Sequence, residues 1–204
     1  MQTVCLDLEG VLVPEIWIAF ADRTGIPELR RTTRDEPDYD KLMQYRLDLL
    51  RQHRLGLPDI QRVIREMGPL PGAKEFLDAL RLSYQVIILS DTYYEFAMPL
   101  MAQLGMPTLF CHRLVTDSQG VVTGYRLRMP EGKRASVKAL KDLQFKVIAA
   151  GDSYNDTAML AEAHAGILFR PPRNVIDEFP QFPVVHDYQG LAGAIAEASR
   201  RIGE

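Results

Sequence analysis

The segment from Thr3 to Val13 is apolar almost throughout, yet it carries Asp7 in its middle, with Glu9 and Gly10 close behind. A strand this apolar predicts the central, doubly covered strand of a parallel sheet. A carboxylate at its C-terminal end then faces the crevice where open α/β sheets take their ligands. Asp7 is ionised at neutral pH in water, so it can attack an electrophile without a base to remove a proton; aspartyl-phosphates form in this way. The competing reading is a turn or capping Asp. Only a metal site and phosphate ligands from distant parts of the chain would favour the first.

Three later segments supply candidates. Lys146 to Gly151 reads as a second buried strand; Asp152 follows it, and Asp156 comes four residues later, with Asn155 alongside. Magnesium is commonly held by one or two carboxylates completed by water and substrate phosphate. Asp7 and Asp152 meet that need, with Asp156 as a third ligand, an orienter, or simply a cap for the helix that follows. Tyr84 to Tyr93 reads as a third strand ending in a polar turn with Ser90 and Asp91. Ser90 is either a hydroxyl donor at the same sheet edge or the cap of a helix starting near Tyr94. Lys133 opens a helix through Leu140 and offers a compact cation for a transferring phosphoryl group; Arg134 is its neighbour and rival.

Asp-x-Glu after a strand, Ser after a strand, a Lys, then Gly-Asp-x-x-x-Asp after a strand, in this order from Asp7 to Asp156, resembles the four motifs of the haloacid dehalogenase superfamily. Four motifs in order are far more specific than any one of them. Within the superfamily the chain resembles the phosphoserine phosphatases, and more narrowly the bacterial relatives that transfer phosphate from phosphoserine to homoserine. The resemblance implies a Rossmann-like α/β fold: a parallel sheet with helices on both faces and a small helical cap inserted after the first strand. It also implies Asp7 as nucleophile and metal ligand, and Glu9 as general acid/base and, through its carbonyl, metal ligand. Ser90 and Lys133 would hold the phosphoryl group, Asp152 would bind Mg2+, and Asn155 would contact substrate. Two departures stand out. Glu9 replaces the more usual Asp, and Asp91 and Thr92 replace two glycines that would let a ligand approach the backbone. Asp91 then either donates its N–H to phosphate or meets a substrate ammonium. Both departures suit the homoserine-transferring relatives better.

The segment 14–71 is expected to be the cap, and 1–13 with 72–204 the catalytic core, the return running through Gly68, Pro69, Pro71 and Gly72. A helix from Pro14 to Ala21 would put Glu15 in its first turn, favourable against the helix dipole. In a second helix, Tyr39 to about Arg54, the residues Tyr39, Leu42, Met43, Leu49 and Leu50 form an apolar stripe with Arg46 in its middle. Arg46 either snorkels to the edge or pairs with a ligand. The resemblance makes Glu15 and Arg46 the readers of an amino acid's ammonium and carboxylate, and an Arg fork suits a carboxylate.

The remaining chain fits this plan. A helix from Ala73 to Leu82, a hairpin over Arg113–Tyr125 turning at Asp117–Gly120, a core strand at Gly166–Phe169 and a closing helix from Leu191 to about Arg200 are expected. A net charge of −3 over 204 residues argues against a nucleic-acid surface, and Arg30, Arg31 and Arg34 read as a solvated cluster. No apolar run approaches a membrane span, and no secretory leader is evident. Cys5 and Cys111 read as buried thiols in a reducing compartment, so a cytoplasmic enzyme, monomer or homodimer, is expected. The four histidines lack metal-ligand spacing. A P-loop kinase is disfavoured, since Lys133 lacks the upstream glycine and the following hydroxyl. Two alternatives remain: a phosphatase of the same superfamily for another small phosphomonoester, and a non-catalytic Mg2+-binding regulatory module.

Overall fold

A computed structural model describes residues 1–32, 35–36 and 38–203. Arg34 of the basic cluster lies outside them. In chain order the elements are β1 (Gln2–Leu6), α1 (Ile16–Thr24), α2 (Tyr39–Gln52), α3 (Leu57–Met67), α4 (Ala73–Arg81), β2 (Gln85–Tyr93), α5 (Tyr94–Gln103), β3 (Thr108–Thr116) and β4 (Val122–Arg126). Then follow α6 (Gly132–Asp142), β5 (Lys146–Gly151), α7 (Thr157–Glu162), β6 (Ala165–Phe169), α8 (Arg173–Glu178), β7 (Val184–Val185) and α9 (Tyr188–Gly203). The strands form one sheet in the order β4-β3-β2-β1-β5-β6-β7. Every pairing is parallel except that of β4 with β3.

β1 is central because both of its edges are used, by β2 and by β5, and its side chains alternate between two apolar layers. Val4 and Leu6 join the larger core with Leu77, Ile88, Phe96, Leu191 and Ile195. Cys5 enters a second core on the other face with Leu89, Val137, Val147, Met159 and Leu168. Burying both faces removes the polar alternation of a half-exposed strand, which is why this segment reads as continuous hydrophobe. Each fully buried aliphatic side chain contributes roughly 1.5–3 kcal/mol. From β1 the chain winds outward to one side through β2 and β3, then returns to the other side of β1 for β5. The crevice at the C-terminal ends of β1, β2 and β5 is therefore the topological switch point.

Residues 14–71 are helical and irregular, without a strand among the described residues. Their apolar residues Phe20, Met43, Leu47, Ile60 and Ile64 belong to the same continuous core as Phe96, Ala97 and Leu100 of α5. These helices thus pack against the sheet's neighbour α5.

Several boundaries differ from expectation. Helix α1 starts at Ile16, so Glu15 occupies the cap position without a capping bond and the first turn holds no acid. The start is fixed instead by Glu9, whose Oε2 accepts the Ile16 N–H at 2.8 Å. Strand β2 continues through Ser90 to Tyr93, and Tyr93 precedes α5, so Ser90 is not that helix's cap. The hairpin turns at Asp117–Gly120, where the Gly120 N–H donates to the Asp117 carbonyl. Its first strand begins five residues earlier than expected, because β3 pairs with β2 before it pairs with β4. β7 and α8 carry too few residues to register as periodic patterns. Arg30 is exposed and pairs with Asp22, whereas Arg31 is half-buried with its guanidinium 5.1 Å from the Tyr45 ring centre. Cys5 and Cys111 are free and buried, and burial pushes each thiol up to about 12. No described helix is long and apolar enough to cross a membrane.

Gly166 on β6 admits the α7 backbone: a Cβ there would lie 2.7 Å from the Leu160 carbonyl oxygen. Gly166→Ala is expected to lower stability by about 1–3 kcal/mol, the usual cost of overpacking, read from the urea midpoint; an unchanged midpoint would show that α7 yields freely.

Candidate active site

Asp7 directly follows β1 and extends its pairing, its N–H donating to the Ala150 carbonyl at 2.9 Å. Its Oδ1 accepts the Leu8 N–H at 2.7 Å and lies 2.9 Å from the Lys133 ammonium. The chain then turns tightly at Gly10, with φ +74°, where a Cβ would fall 2.3 Å from the Asp152 carboxylate. Glycine is required there twice over, for the left-handed backbone and for the approach of Asp152. Gly151 plays the same steric part on β5: its Cβ would collide with Asp156.

Asp156 is fully buried. Its Oδ2 accepts the N–H groups of Asp152 and Ser153 at 2.9 and 3.1 Å, and its Oδ1 accepts Lys133 Nζ at 2.8 Å. It makes no capping bond to α7. Instead it fixes the loop that carries Asp152 and anchors the lysine. One oxygen each of Asp7, Asp152 and Asp156 lie within 4.8 Å of one another, a hard-oxygen set that suits a divalent cation. The electrostatics agree. Burial first, then the neighbouring carboxylates, hold Asp7 well above the usual carboxylate range despite Lys133. The same two causes push Asp152 up to about 7. Carboxylates crowded in this way are relieved by a cation.

Nine of the ten site residues expected from sequence line one cavity of about 150 Å³: Asp7, Glu9, Glu15, Arg46, Ser90, Asp91, Lys133, Asp152 and Asn155. Asp156 stands behind Lys133. A larger hollow of about 850 Å³ beside α7, β6 and α9 contains none of them. Convergent charged groups, rather than volume, mark the site.

Glu9 is raised to about 7, chiefly by burial and then by Glu15, with the Ile16 N–H and Thr92 opposing. A carboxyl titrating there can both give and take a proton near neutral pH. Ser90 and Asp91 project from an irregularity in β2. Leu89 pairs with Phe110 and Tyr93 with His112, so four residues along β2 match two along β3 and the excess bulges into the crevice. The Ser90 hydroxyl accepts the Thr92 N–H at 3.2 Å.

Arg46 does not snorkel. It is buried, its guanidinium lies 4.5 Å from the Trp17 ring centre, and Nη2 donates to the Arg31 carbonyl at 2.7 Å. Its Nε is the one buried side-chain polar atom without a partner among the described residues. Leaving a charged donor unpaired costs about 1–3 kcal/mol or more, and the Arg46 side chain that bears it lines the cavity. Exposed Glu15 lies across the same cavity. Sequence reasoning missed Trp17, the platform beneath Arg46, and the Tyr39–Tyr93 hydroxyl pair at 2.6 Å. A lone Trp in an apolar helix gives no sign of which face meets a guanidinium.

Comparison with known proteins agrees with this geometry. The haloacid dehalogenase-like hydrolase family matches residues 1–164. The chain is 62% identical over 201 residues to phosphoserine phosphatase ThrH of Pseudomonas aeruginosa, covering 98% of both chains. It is 61% identical to a phosphoserine phosphatase of Pseudomonas syringae pv. tomato, covering 98% of this chain and 85% of that one. Among solved structures, a phospho-aspartyl intermediate analogue of phosphoserine phosphatase superposes with TM-score 0.75 at 17% identity, covering 94% of this chain and 97% of that one. The phosphoserine phosphatase of T. onnurineus gives 0.69 at 24%, covering 93% and 92%; at these identities the likeness speaks for the fold. The chain belongs to the haloacid dehalogenase-like hydrolases.

A carboxylate whose folded pKa is raised favours the native state while protonated, and stability falls as pH rises from its unfolded value through its folded one. For Asp152 that window runs from 3.8 to about 7. Without divalent cations, Asp152→Asn should therefore melt higher than wild type at pH 8 and lose that advantage near pH 4. It should also lose any rise in Tm on adding Mg2+. An identical Mg2+ response in wild type and variant would remove Asp152 from the cation site.

Proposed function

We propose that this enzyme is a Mg2+-dependent phosphoserine phosphatase that works through an aspartyl-phosphate on Asp7, and that it also transfers the phosphoryl group to homoserine. The observation that carries this reading is the single cavity. It holds a nucleophilic carboxylate, a second carboxyl poised near neutrality, a buried ammonium, a buried guanidinium and a further acid, Glu15. The high-identity relatives bear the same name over nearly the full chain.

Asp7 attacks phosphorus in line, and the serine oxygen leaves as Glu9 protonates it. Glu9, now a carboxylate, takes a proton from the acceptor that attacks the aspartyl-phosphate; water yields phosphate, homoserine yields phosphohomoserine. Lys133, already within 2.9 Å of Asp7, offsets the charge that would otherwise repel an anionic nucleophile. Ser90 and the backbone N–H groups of the β2 bulge hold phosphoryl oxygens, and Asn155 contacts the substrate from the β5 side. Asp7, Asp152 and the Glu9 carbonyl would hold Mg2+, which would supply charge neutralisation on the phosphoryl oxygens, and Asp156 orients Asp152 and Lys133. Arg46 takes the substrate carboxylate and Glu15 its ammonium. The insertion, 14–71, acts as the cap over the core formed by 1–13 and 72–204, and its closure keeps bulk water from outcompeting an alcohol acceptor. Buried reduced thiols suit a cytoplasmic protein; a monomer or homodimer fits a site built within one chain.

Labelled phosphoserine with Mg2+ should give free phosphate, and phosphohomoserine when homoserine is added. Asp7→Asn should abolish both products, and Glu9→Gln should slow turnover about 10²–10⁴-fold, the range for a lost acid/base. Formation of neither product would remove the specific function. Arg46→Ala should raise the phosphoserine KM by about 10–100-fold, as expected for lost charge-assisted bonds. An unchanged KM would point to a different phosphomonoester.

A further inference from the structure

Lys133 has three carboxylate neighbours, and one comes from the β2 side. Asp7 and Asp156 approach its ammonium to 2.9 and 2.8 Å from the β1 and β5 side. Asp91 on the β2 bulge stands at 3.7 Å through Oδ2. That is an ion-pair distance rather than a hydrogen bond. The other oxygen of Asp91, Oδ1, lies 3.7 Å from Nε2 of His112.

His112 is buried, and its other nitrogen is engaged: Nδ1 accepts the Arg128 backbone N–H at 3.1 Å. An accepting Nδ1 leaves the ring proton on Nε2, the nitrogen that stands 3.7 Å from Asp91. The Arg128 segment is itself fastened to β3, its Nε donating to the Cys111 carbonyl at 3.0 Å. The ring's height is set by the pairing of Tyr93 with His112, at the end of the β2 irregularity. A rigid strand thus presents a fixed N–H to the carboxylate that faces the lysine. Burial alone would raise Asp91, yet His112 and Lys133 together hold it below the usual carboxylate range.

We propose that His112 is a positioning residue which holds Asp91 in place and, through it, fixes the Lys133 ammonium from the β2 side while Asp7 and Asp156 hold it from the other. This rests on the role of Lys133 in the proposed reaction and adds to it a support that runs Arg128 backbone, His112, Asp91, Lys133. No proton needs to move along the chain; its effect is geometric. Lys133 matters most as charge develops on the transferring group, so the effect falls on kcat.

Two substitutions separate the latch from the positioning. His112→Asn keeps an acceptor near Nδ1 for the Arg128 N–H but presents no donor to Asp91. His112→Gln places an amide N–H near the height of Nε2. Turnover is measured on phosphoserine and, in parallel, on p-nitrophenyl phosphate, whose leaving group makes no use of Arg46 or Glu15. His112→Asn should lower kcat about tenfold on both substrates, with KM within about twofold, and His112→Gln should recover most of the loss. In an Asp91→Ala background, His112→Asn should have no further effect, the non-additivity expected of residues acting in series. Unchanged kcat in a folded His112→Asn protein, multiplicative losses, or a loss confined to KM would overturn the proposal. The expected pattern on p-nitrophenyl phosphate with phosphoserine inert would support it and remove the phosphoserine reading instead.

Discussion

The Lys133 ammonium, buried between Asp7 and Asp156, is the contact on which the rest of the site depends. Three carboxylates whose oxygens approach within 4.8 Å repel one another strongly away from bulk water. A buried cation about 3 Å from two of them returns several kcal/mol per pair at an effective dielectric near 20. Desolvating the ammonium costs much of that gain, so the arrangement is no simple source of stability. What it provides is placement. Lysine fixes the direction of Asp7 and Asp156, and Asp156 in turn fixes the loop bearing Asp152.

The sheet order makes that contact possible. Asp7, Ser90 and Asp152 come from three adjacent strands, although the first and last of them stand at positions 7 and 152 of the chain. Winding outward from β1 in one direction and returning in the other leaves the crevice at their shared end uncovered by any crossover. The helices of residues 14–71 then bring Arg46 and Trp17 to its wall. Two glycines complete the fit: Gly10 and Gly151 leave the space that Asp152 and Asp156 occupy. Their absence of side chain is structural necessity rather than flexibility.

Much of this was legible beforehand because the signals are local and strong. A doubly buried strand must be continuously apolar, and a carboxylate at its end cannot be explained by packing. The order of four such signals gave the family, and nine of its ten residues line one cavity. The errors lie where tertiary context overrides local pattern. Glu15 read as a first-turn acid, but the Glu9 carboxylate sets the helix start. Ser90 allowed a capping reading, but β2 runs past it because β3 extends its pairing to Tyr93. Arg46 allowed snorkelling, but Trp17 and the Arg31 carbonyl hold it inside. His112 gave no signal at all, since a lone histidine in a strand is ordinarily core.

The sequence by itself determined the doubly covered sheet and the placing of Asp7 at the end of its central strand, because apolar periodicity and an acid at a strand end have few physical solutions. The tertiary structure alone decided which oxygens of Asp156 are spent on lysine and backbone, how far Glu9 and Asp152 are lifted toward neutrality, and that Asp91 stands between His112 and Lys133. Those outcomes depend on burial and on distances between residues remote in the chain. No local pattern encodes either.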